Sequence, residues 1–347
     1  MQDISWWHPT IYRALTAIAS FLLAAGAAGA GNKPVLSWQQ TNRAALSYPS
    51  VAISPNGRFI ACGGFATLRL MEARSGKLIA FAHFRPRELY CPLYAMDWSP
   101  DSSTLASGDA EGGLRFWDIR RGTAIRNVPN AHRGPVRCVR WSHDGRIVAS
   151  GGDDGWIRFW DASTAKAVQP VALRLIKPRG IAFTPDGKLL AAAGGDGFVT
   201  LWDWRKAAKT KSWKAHTGLI YGFAMSEDGK QLATSKTSIR IWDRATGREV
   251  ATIKPTDPPF LGLTFAGGGR LLCFGDLKGC VSGWHIDRRQ IAFRSPPARQ
   301  VLSLDSQRRG ELLVASGIGA TIRVWRLARP ATPSQGKGPP SLKEGGP

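Results

Sequence analysis

An all-β chain closed into a seven-bladed β-propeller is the fold class this sequence predicts, and three observations predict it. One unit recurs every 40 to 46 residues, with Met71, Trp117, Trp160, Trp202, Trp242, Trp284 and Trp325 in the same slot; a period in this range is that of propeller blades. Gly (39) and Trp (14) are abundant, as short strands, tight turns and large packed aromatics require. Residues 35–327 divide into seven units of roughly 42 residues, which six or eight blades would not match.

Each unit carries three alternating apolar runs separated by turn chemistry. The clearest copy follows His132 and reads VRCVRWSHDGRIVASGGDDGWIRFWD. Fainter copies are LGLTFAGGGRLLCFGDLKGCVSGWH (261–285) and VLSLDSQRRGELLVASGIGATIRVWR (301–326). Ser-Pro-Asn-Gly (54–57), Ser-His-Asp-Gly (142–145) and Thr-Pro-Asp-Gly (184–187) are hairpin signals. Gly-Gly-Asp-Asp-Gly (151–155) and Gly-Gly-Asp-Gly (194–197) supply a second turn. Arg-Ser-Gly-Lys (74–77) and Ala-Thr-Gly-Arg (245–248) supply a third, leading to an outer strand such as KLIAFA.

On these residues the chain resembles the WD-repeat (WD40) family over about 35–327. The dipeptide Trp-Asp closes four units, at 117–118, 160–161, 202–203 and 242–243. The resemblance implies a buried tetrad of His, Ser or Thr, Asp and Trp. The third unit offers His132, Ser150, Asp154 and Trp160, and the second His83, Ser107 and Trp117 with Glu111 in place of Asp. The fifth offers His216, Thr234 and Trp242 without an acid, and the fourth keeps only Asp196 and Trp202. A satisfied buried network rigidifies a blade, so these residues read as structural. The lone segment VLSWQQ (35–40) is expected to supply the last blade with its fourth strand, so that the N-terminal strand closes the ring and leaves only short, protected edges.

The ends differ from this body. Residues 14–30, ALTAIASFLLAAGAAGA, form a short apolar run after Arg13, ending small-x-small. This reads as an export signal over 1–30 cleaved after Ala30, placing the protein in a periplasm or outside the cell. An uncleaved anchor and a cytoplasmic protein with a misassigned start are the alternatives. Residues 328–347, rich in Pro, Gly and Ser, read as a disordered tail.

The formal net charge is +22, a field that draws acidic partners but says nothing of fold. None of the five cysteines forms a CxxC pair, which argues against structural zinc. Cys273 and Cys280 flank one turn, so a disulfide is open in an oxidising compartment. Every His after His8 has a place in the repeat: His83, His132 and His216 before a blade, His143 in a turn, His285 after Trp284. The acids likewise sit in turns or after the Trp slot. No nucleophile, base or paired carboxylates stand apart, so no catalysis, cofactor, metal or small-molecule substrate is expected.

Function should then lie in the loops. The resemblance implies that one face collects the blade-to-blade loops and second turns and receives protein or peptide across the channel mouth. There stand Arg43, Tyr48, Phe65, Arg85, Arg87, Tyr90, Arg133, Lys177, Arg179, Phe260 and Arg299, and Arg beside aromatics is the composition of contact hot spots. The opposite face holds RKAAKTKSWK (205–214), whose single Trp213 is too few for a stacking platform, so the segment reads as a solvated connection. The expected function is a non-catalytic scaffold for an acidic protein or peptide partner, working as a monomer within a larger assembly. The alternative is an electrostatic binder of nucleic acid, glycan or anionic lipid.

Overall fold

The computed structural model describes residues 34–42, 47–84, 91–254, 261–307 and 310–327. These form 28 strands in seven four-stranded antiparallel sheets. The leader over 1–30 and the tail over 328–347 lie outside the described residues.

After β1 (Val35–Thr41), blade one is built from β2 (Ser50–Ile53), β3 (Phe59–Gly63), β4 (Thr67–Glu72) and β5 (Leu78–His83). Blade two follows with β6 (Leu93–Trp98), β7 (Thr104–Asp109), β8 (Leu114–Asp118) and β9 (Thr123–Val128). Blade three is β10 (Val136–Trp141), β11 (Ile147–Gly152), β12 (Trp156–Asp161) and β13 (Ala167–Arg174). Blade four is β14 (Gly180–Phe183), β15 (Leu189–Ala193), β16 (Phe198–Asp203) and β17 (Ala208–Lys214). Blade five is β18 (Gly222–Met225), β19 (Gln231–Ser235), β20 (Ile239–Asp243) and β21 (Glu249–Ile253). Blade six is β22 (Leu263–Ala266), β23 (Leu271–Gly275), β24 (Val281–His285) and β25 (Gln290–Arg294). Blade seven combines β26 (Val301–Ser306), β27 (Leu312–Gly317) and β28 (Thr321–Arg326) with β1.

The ring closes twice. At the rim β1 runs antiparallel to β28, with Val35 opposite Arg326 and Thr41 opposite Thr321. At the axis each blade's first strand neighbours the next blade's first strand, and β26 neighbours β2. The predicted N-terminal closure is therefore present.

Local chemistry makes each hairpin. In the first turns Ser54, Ser99, Ser142, Thr184 and Ser226 hydrogen-bond through their hydroxyls to an Asn or Asp two residues on. The same hydroxyls accept the N–H five residues on, as in Ile147 to Ser142 (3.0 Å) and Leu189 to Thr184 (3.0 Å). The side chain thus mimics a backbone turn and fixes register. Between the third and outer strands a bulge recurs beside the slot residue, at Met71, Trp117, Trp160, Trp202, Trp242 and Trp284. Bulges bend and twist a strand.

No blade has a core of its own. The apolar clusters sit between blades: Met71 with Val314 and Ile322 between seven and one, Trp117 with Leu68 and Leu70 between one and two, Trp160 with Phe116 and Val136 between two and three. Trp242 lies with Val199 and Leu201 between four and five, and Trp325 with Val281 and Phe293 between six and seven. The slot residue is the plug that each blade offers the preceding one. Burying one such indole is worth on the order of 3 kcal/mol.

RKAAKTKSWK is not a connection. Its 208–214 portion is β17, the outer strand of blade four; Lys209, Lys211 and Lys214 decorate an edge strand, where lysine discourages pairing with another chain. The five thiols are free and buried. Cys273 faces Gly283 across the β23–β24 ladder, not Cys280, so these two do not bridge. Burial pushes the thiols of Cys62, Cys138 and Cys273 up to about 12, which makes them small hydrophobes instead of nucleophiles.

Candidate functional site

Blade three holds a continuous polar chain. The Trp160 indole N–H donates to Ser150 Oγ (2.8 Å), Ser150 Oγ lies 2.8 Å from His132 Nε2, and His132 Nδ1 lies 3.0 Å from Asp154 Oδ1. A neutral imidazole that donates to Asp154 from Nδ1 and accepts from Ser150 at Nε2 fits this chain, and Arg158 Nη1 also lies 2.6 Å from Nδ1. Burial keeps the His132 pKa below its usual value. Burial alone would raise Asp154, yet its bonds to His132 and Arg158 hold it at about 2. Arg158 closes the group by donating to Asp154 Oδ2 (2.6 Å).

Blade five keeps three members: Trp242 Nε1 donates to Thr234 Oγ1 (2.9 Å), which lies 2.9 Å from His216 Nε2. Blade two keeps two, Trp117 Nε1 donating to Ser107 Oγ (2.8 Å). The sequence expectation for its other two members fails. His83 ends β5 opposite Thr67, is exposed, and rests edge-on against Phe81 (4.4 Å). The connection from His83 to Leu93 is too long to place it where the short 132–136 segment places His132. The buried carboxylate is Asp109, not Glu111: Asp109 Oδ1 accepts the Glu111 and Gly113 N–H groups (2.9 and 2.7 Å), and Arg115 pairs with Oδ2. Asp276 repeats the device in blade six, accepting from Cys280 N (2.9 Å) and Arg294 (3.0 Å). All of these groups join one part of the fold to another, and among the described residues no His, Cys, Asp and Glu cluster could hold a metal ion.

One arginine position escaped sequence reasoning. Two residues before the slot stand Arg69, Arg115, Arg158, Arg240 and Arg323. They reach Tyr48 Oη, Asp109, Asp154, the Ala215 carbonyl and the Gly279 carbonyl respectively. The signal in the sequence is the recurring Arg-x-Trp or Arg-x-Met, absent from blades four and six, where Thr200 and Ser282 take the place.

The axis encloses a cavity of about 760 Å³ lined by the seven inner strands. Its wall is stitched across blades: Asp305 Oδ2 accepts Ile53 N–H (2.8 Å), and Asp97 Oδ2 accepts Trp141 N–H (2.7 Å). At one mouth the equivalent residues of blades two to five are Tyr94, Arg137, Arg179 and Tyr221, while blades six, seven and one present Leu261, Leu302 and Pro49. Tyr94, Arg137 and Leu302 each occupy a β-bulge of the inner strand, a device that re-aims a side chain. Arg137 lies over the Tyr94 ring (4.4 Å) and donates to Asp153 Oδ2 from Nε (2.9 Å) and Nη2 (2.7 Å). Burial opposes the Arg137 charge, but those bonds outweigh it and its pKa is raised. Arg179 reaches the same carboxylate only at 3.7 Å. Burial, with Arg137 beside it, lowers its pKa.

Of the loop residues expected on this face, Phe65 and Arg179 line the cavity. Arg133, Lys177 and Arg299 are exposed on loops outside its lining. Tyr48 is not a surface residue: it is 1% exposed, packs between blades seven and one, and accepts from Arg69 (2.9 Å) and Asn42 (3.0 Å). Its apolar surroundings, set by Met71 and Val314, bury the ring that loop position alone suggested was free. Arg43, Arg85, Arg87, Tyr90 and Phe260 lie outside the described residues. Sequence reasoning missed Tyr94, Arg137 and Tyr221 because each sits at or just before the start of an inner strand and reads there as the polar half of an alternation.

Comparison with known families agrees with this architecture. The model described as WD domain, G-beta repeat matches residues 86–118, 124–161, 177–203 and 208–243. Each match ends on the Asp that follows a slot Trp, closing the third strand of blades two, three, four and five.

Proposed function

Because the chain belongs to the WD-repeat β-propeller family, whose fold is generally a protein-interaction scaffold, we propose that it is a non-catalytic platform that docks an acidic protein partner across the mouth bearing Arg137 and Arg179. One observation carries this reading: side chains from seven separate blades converge on a single rim, four of them Tyr-Arg-Arg-Tyr. Tyr and Arg dominate binding energy at interfaces because they bring large contact area and a charge-assisted fork. A rim supplied by seven rigid sheets is also preorganised, which lowers the ordering cost of association.

The test is affinity capture from the native source with the full chain and with an R137Q/R179Q variant, at two salt concentrations. A partner retained by the full chain and lost by the variant supports the platform. A partner set identical for both sinks this face as the site. Binding that survives the variant yet falls steeply with salt instead favours the polyanion reading, which the exposed basic residues Arg120, Arg121, Lys206, Lys209 and Lys214 on the outer turns and β17 recommend.

A further inference from the structure

We propose that the mouth is specific for a partner segment that places one carboxylate on Arg179 with an apolar side chain beside it on Leu261 and Leu302; this rests on the platform reading and names the chemistry it selects. Arg179 has unused hydrogen-bonding capacity. Among the described residues the Arg179 guanidinium makes no hydrogen bond, and its Nε is buried without a partner. Buried guanidinium N–H groups are nearly always paired, and although the Arg179 side chain as a whole is 23% exposed, its Nε is not. The nearest carboxylate is already committed, since both hydrogen bonds to Asp153 Oδ2 come from Arg137, and Asp153 Oδ1 stands 3.7 Å from Arg179 with no bond of its own.

The residue is held for use. Its backbone N–H is fixed to the Ala193 carbonyl (2.9 Å) at the head of blade four. Its neighbours on either side of the rim are Arg137, immobilised by Tyr94 and Asp153, and Tyr221, which is 38% exposed. An arginine fork matches a carboxylate with two parallel N–H···O bonds.

Charge arithmetic selects the ligand. Two guanidinium groups and one carboxylate leave a single positive charge at this side of the mouth. One carboxylate balances it, whereas a phosphomonoester near −2 would leave an excess beside Asp153. Across the rim the side chains turn apolar: Leu302 is bulged, Leu261 is half-buried, and Pro49 follows. A segment crossing the mouth therefore meets a charged half and an apolar half, and only a sequence with both characters satisfies it.

The experiment is selection of a random seven-residue display library on the immobilised full chain. Enriched peptides are then synthesised with a fluorophore and titrated against wild type, R179Q, R179K and R133Q. The expected result is enrichment of Asp or Glu within two positions of Leu, Ile or Phe. Their Kd should rise about tenfold or more in R179Q. R179K should lose about as much, because an ammonium offers no fork, and R133Q should bind as wild type. Phosphoserine in place of the acid should bind more weakly. Enriched peptides without an acid, equal binding to R179Q, or tighter binding of the phosphopeptide would overturn this assignment and leave the platform standing. No enrichment over bare matrix would overturn both. Thermal melting of R179Q near the wild-type midpoint identifies loss of binding as loss of the contact, and its collapse would show Arg179 to be structural, which also sinks the proposal.

Discussion

At the scale of single residues, the slot tryptophans separate into those with an acceptor and those without. Trp117, Trp160 and Trp242 donate to Ser107, Ser150 and Thr234, whereas the indole nitrogens of Trp202 and Trp284 are buried without a partner. The hydroxyl position, which faces Arg158 in blade three, is Ala192 in blade four and Phe274 in blade six. Removing a buried acceptor leaves its donors desolvated, at about 1–3 kcal/mol each. Ser150→Ala should therefore cost about 2–3 kcal/mol, since both Trp160 and His132 lose a partner, and Ala192→Ser should gain about 1 kcal/mol; denaturant unfolding of the two variants checks both signs. Titration acts at the same scale. Burial, with Arg240 adding, lowers His216 to about 4 from 6.5. Folded His216 then holds fewer protons than unfolded His216 across that range, so its stabilisation is complete above pH 6.5 and is lost as pH falls towards 4. Asp154, held at about 2, loses its contribution below about pH 4. Asp305 runs the other way: burial raises it to about 6, so protonation relieves a cost as pH falls from above 6 to 4. Acidification from pH 7 to 4 should lower the melting temperature, less steeply in H216Q and more steeply in D305N. Equal slopes in all three would sink this account. Some of these residues were legible and others were not. His132, Ser150, Asp154 and Trp160 are spaced by a repeat; Asp109 and Arg115 were hidden because a buried ion pair replaced the repeat's own chemistry.

At the scale of turns and strands, glycines of the same sign of φ are not equivalent. Gly187 (φ +65°) is a first-turn residue with nothing within 4 Å of the place a Cβ would take, while Gly197 (φ +79°) has the His216 carbonyl oxygen at 2.1 Å from it. Gly112 repeats that contact in blade two, with the His132 carbonyl. The second turn of one blade thus presses backbone to backbone on the loop leading into the next. Gly187→Ala should cost about 1 kcal/mol, the ordinary penalty for a left-handed alanine, and Gly197→Ala should cost well over 2 kcal/mol because backbone must also move; chemical denaturation of both variants measures the difference. Elements of this kind were readable where turn chemistry is explicit, as in Thr-Pro-Asp-Gly. They were not readable where length alone decides. The long run from His83 to Leu93 carries no mark that strips His83 of its place in the tetrad, and 205–214 lacks the apolar alternation of a strand because β17 is an outer strand with no buried residue, only Lys211 and Trp213 being half-buried.

At the scale of the molecule, stability depends on a tie between distant parts of the chain. Blades bury their apolar faces only against each other, so an open arc would expose two such faces. The tie is β1, which completes the blade seven sheet while Trp38 crosses to blade one and donates to the Ala73 carbonyl (2.8 Å). Trp38→Ala should cost about 3–5 kcal/mol, the usual range for a buried Trp, but that figure mixes lost packing with lost closure. A circular permutant separates them. Val35 stands opposite Arg326 at the end of the β1–β28 ladder, so a short hairpin can join 327 to 34 without straining either strand. Chain breakage within 43–46 then makes blade seven continuous, keeps every sheet, and removes only the covalent path from β1 into β2. The permutant should fold to the same far-ultraviolet spectrum and bury Trp38 as before, yet melt at lower temperature with blade seven leaving first. Hydrogen exchange would show that early loss of protection in β26, β27 and β28. If the permutant instead melts as one unit at the wild-type temperature, the blade interfaces alone hold the ring, and the shared seventh sheet is a matter of chain order, not of stability.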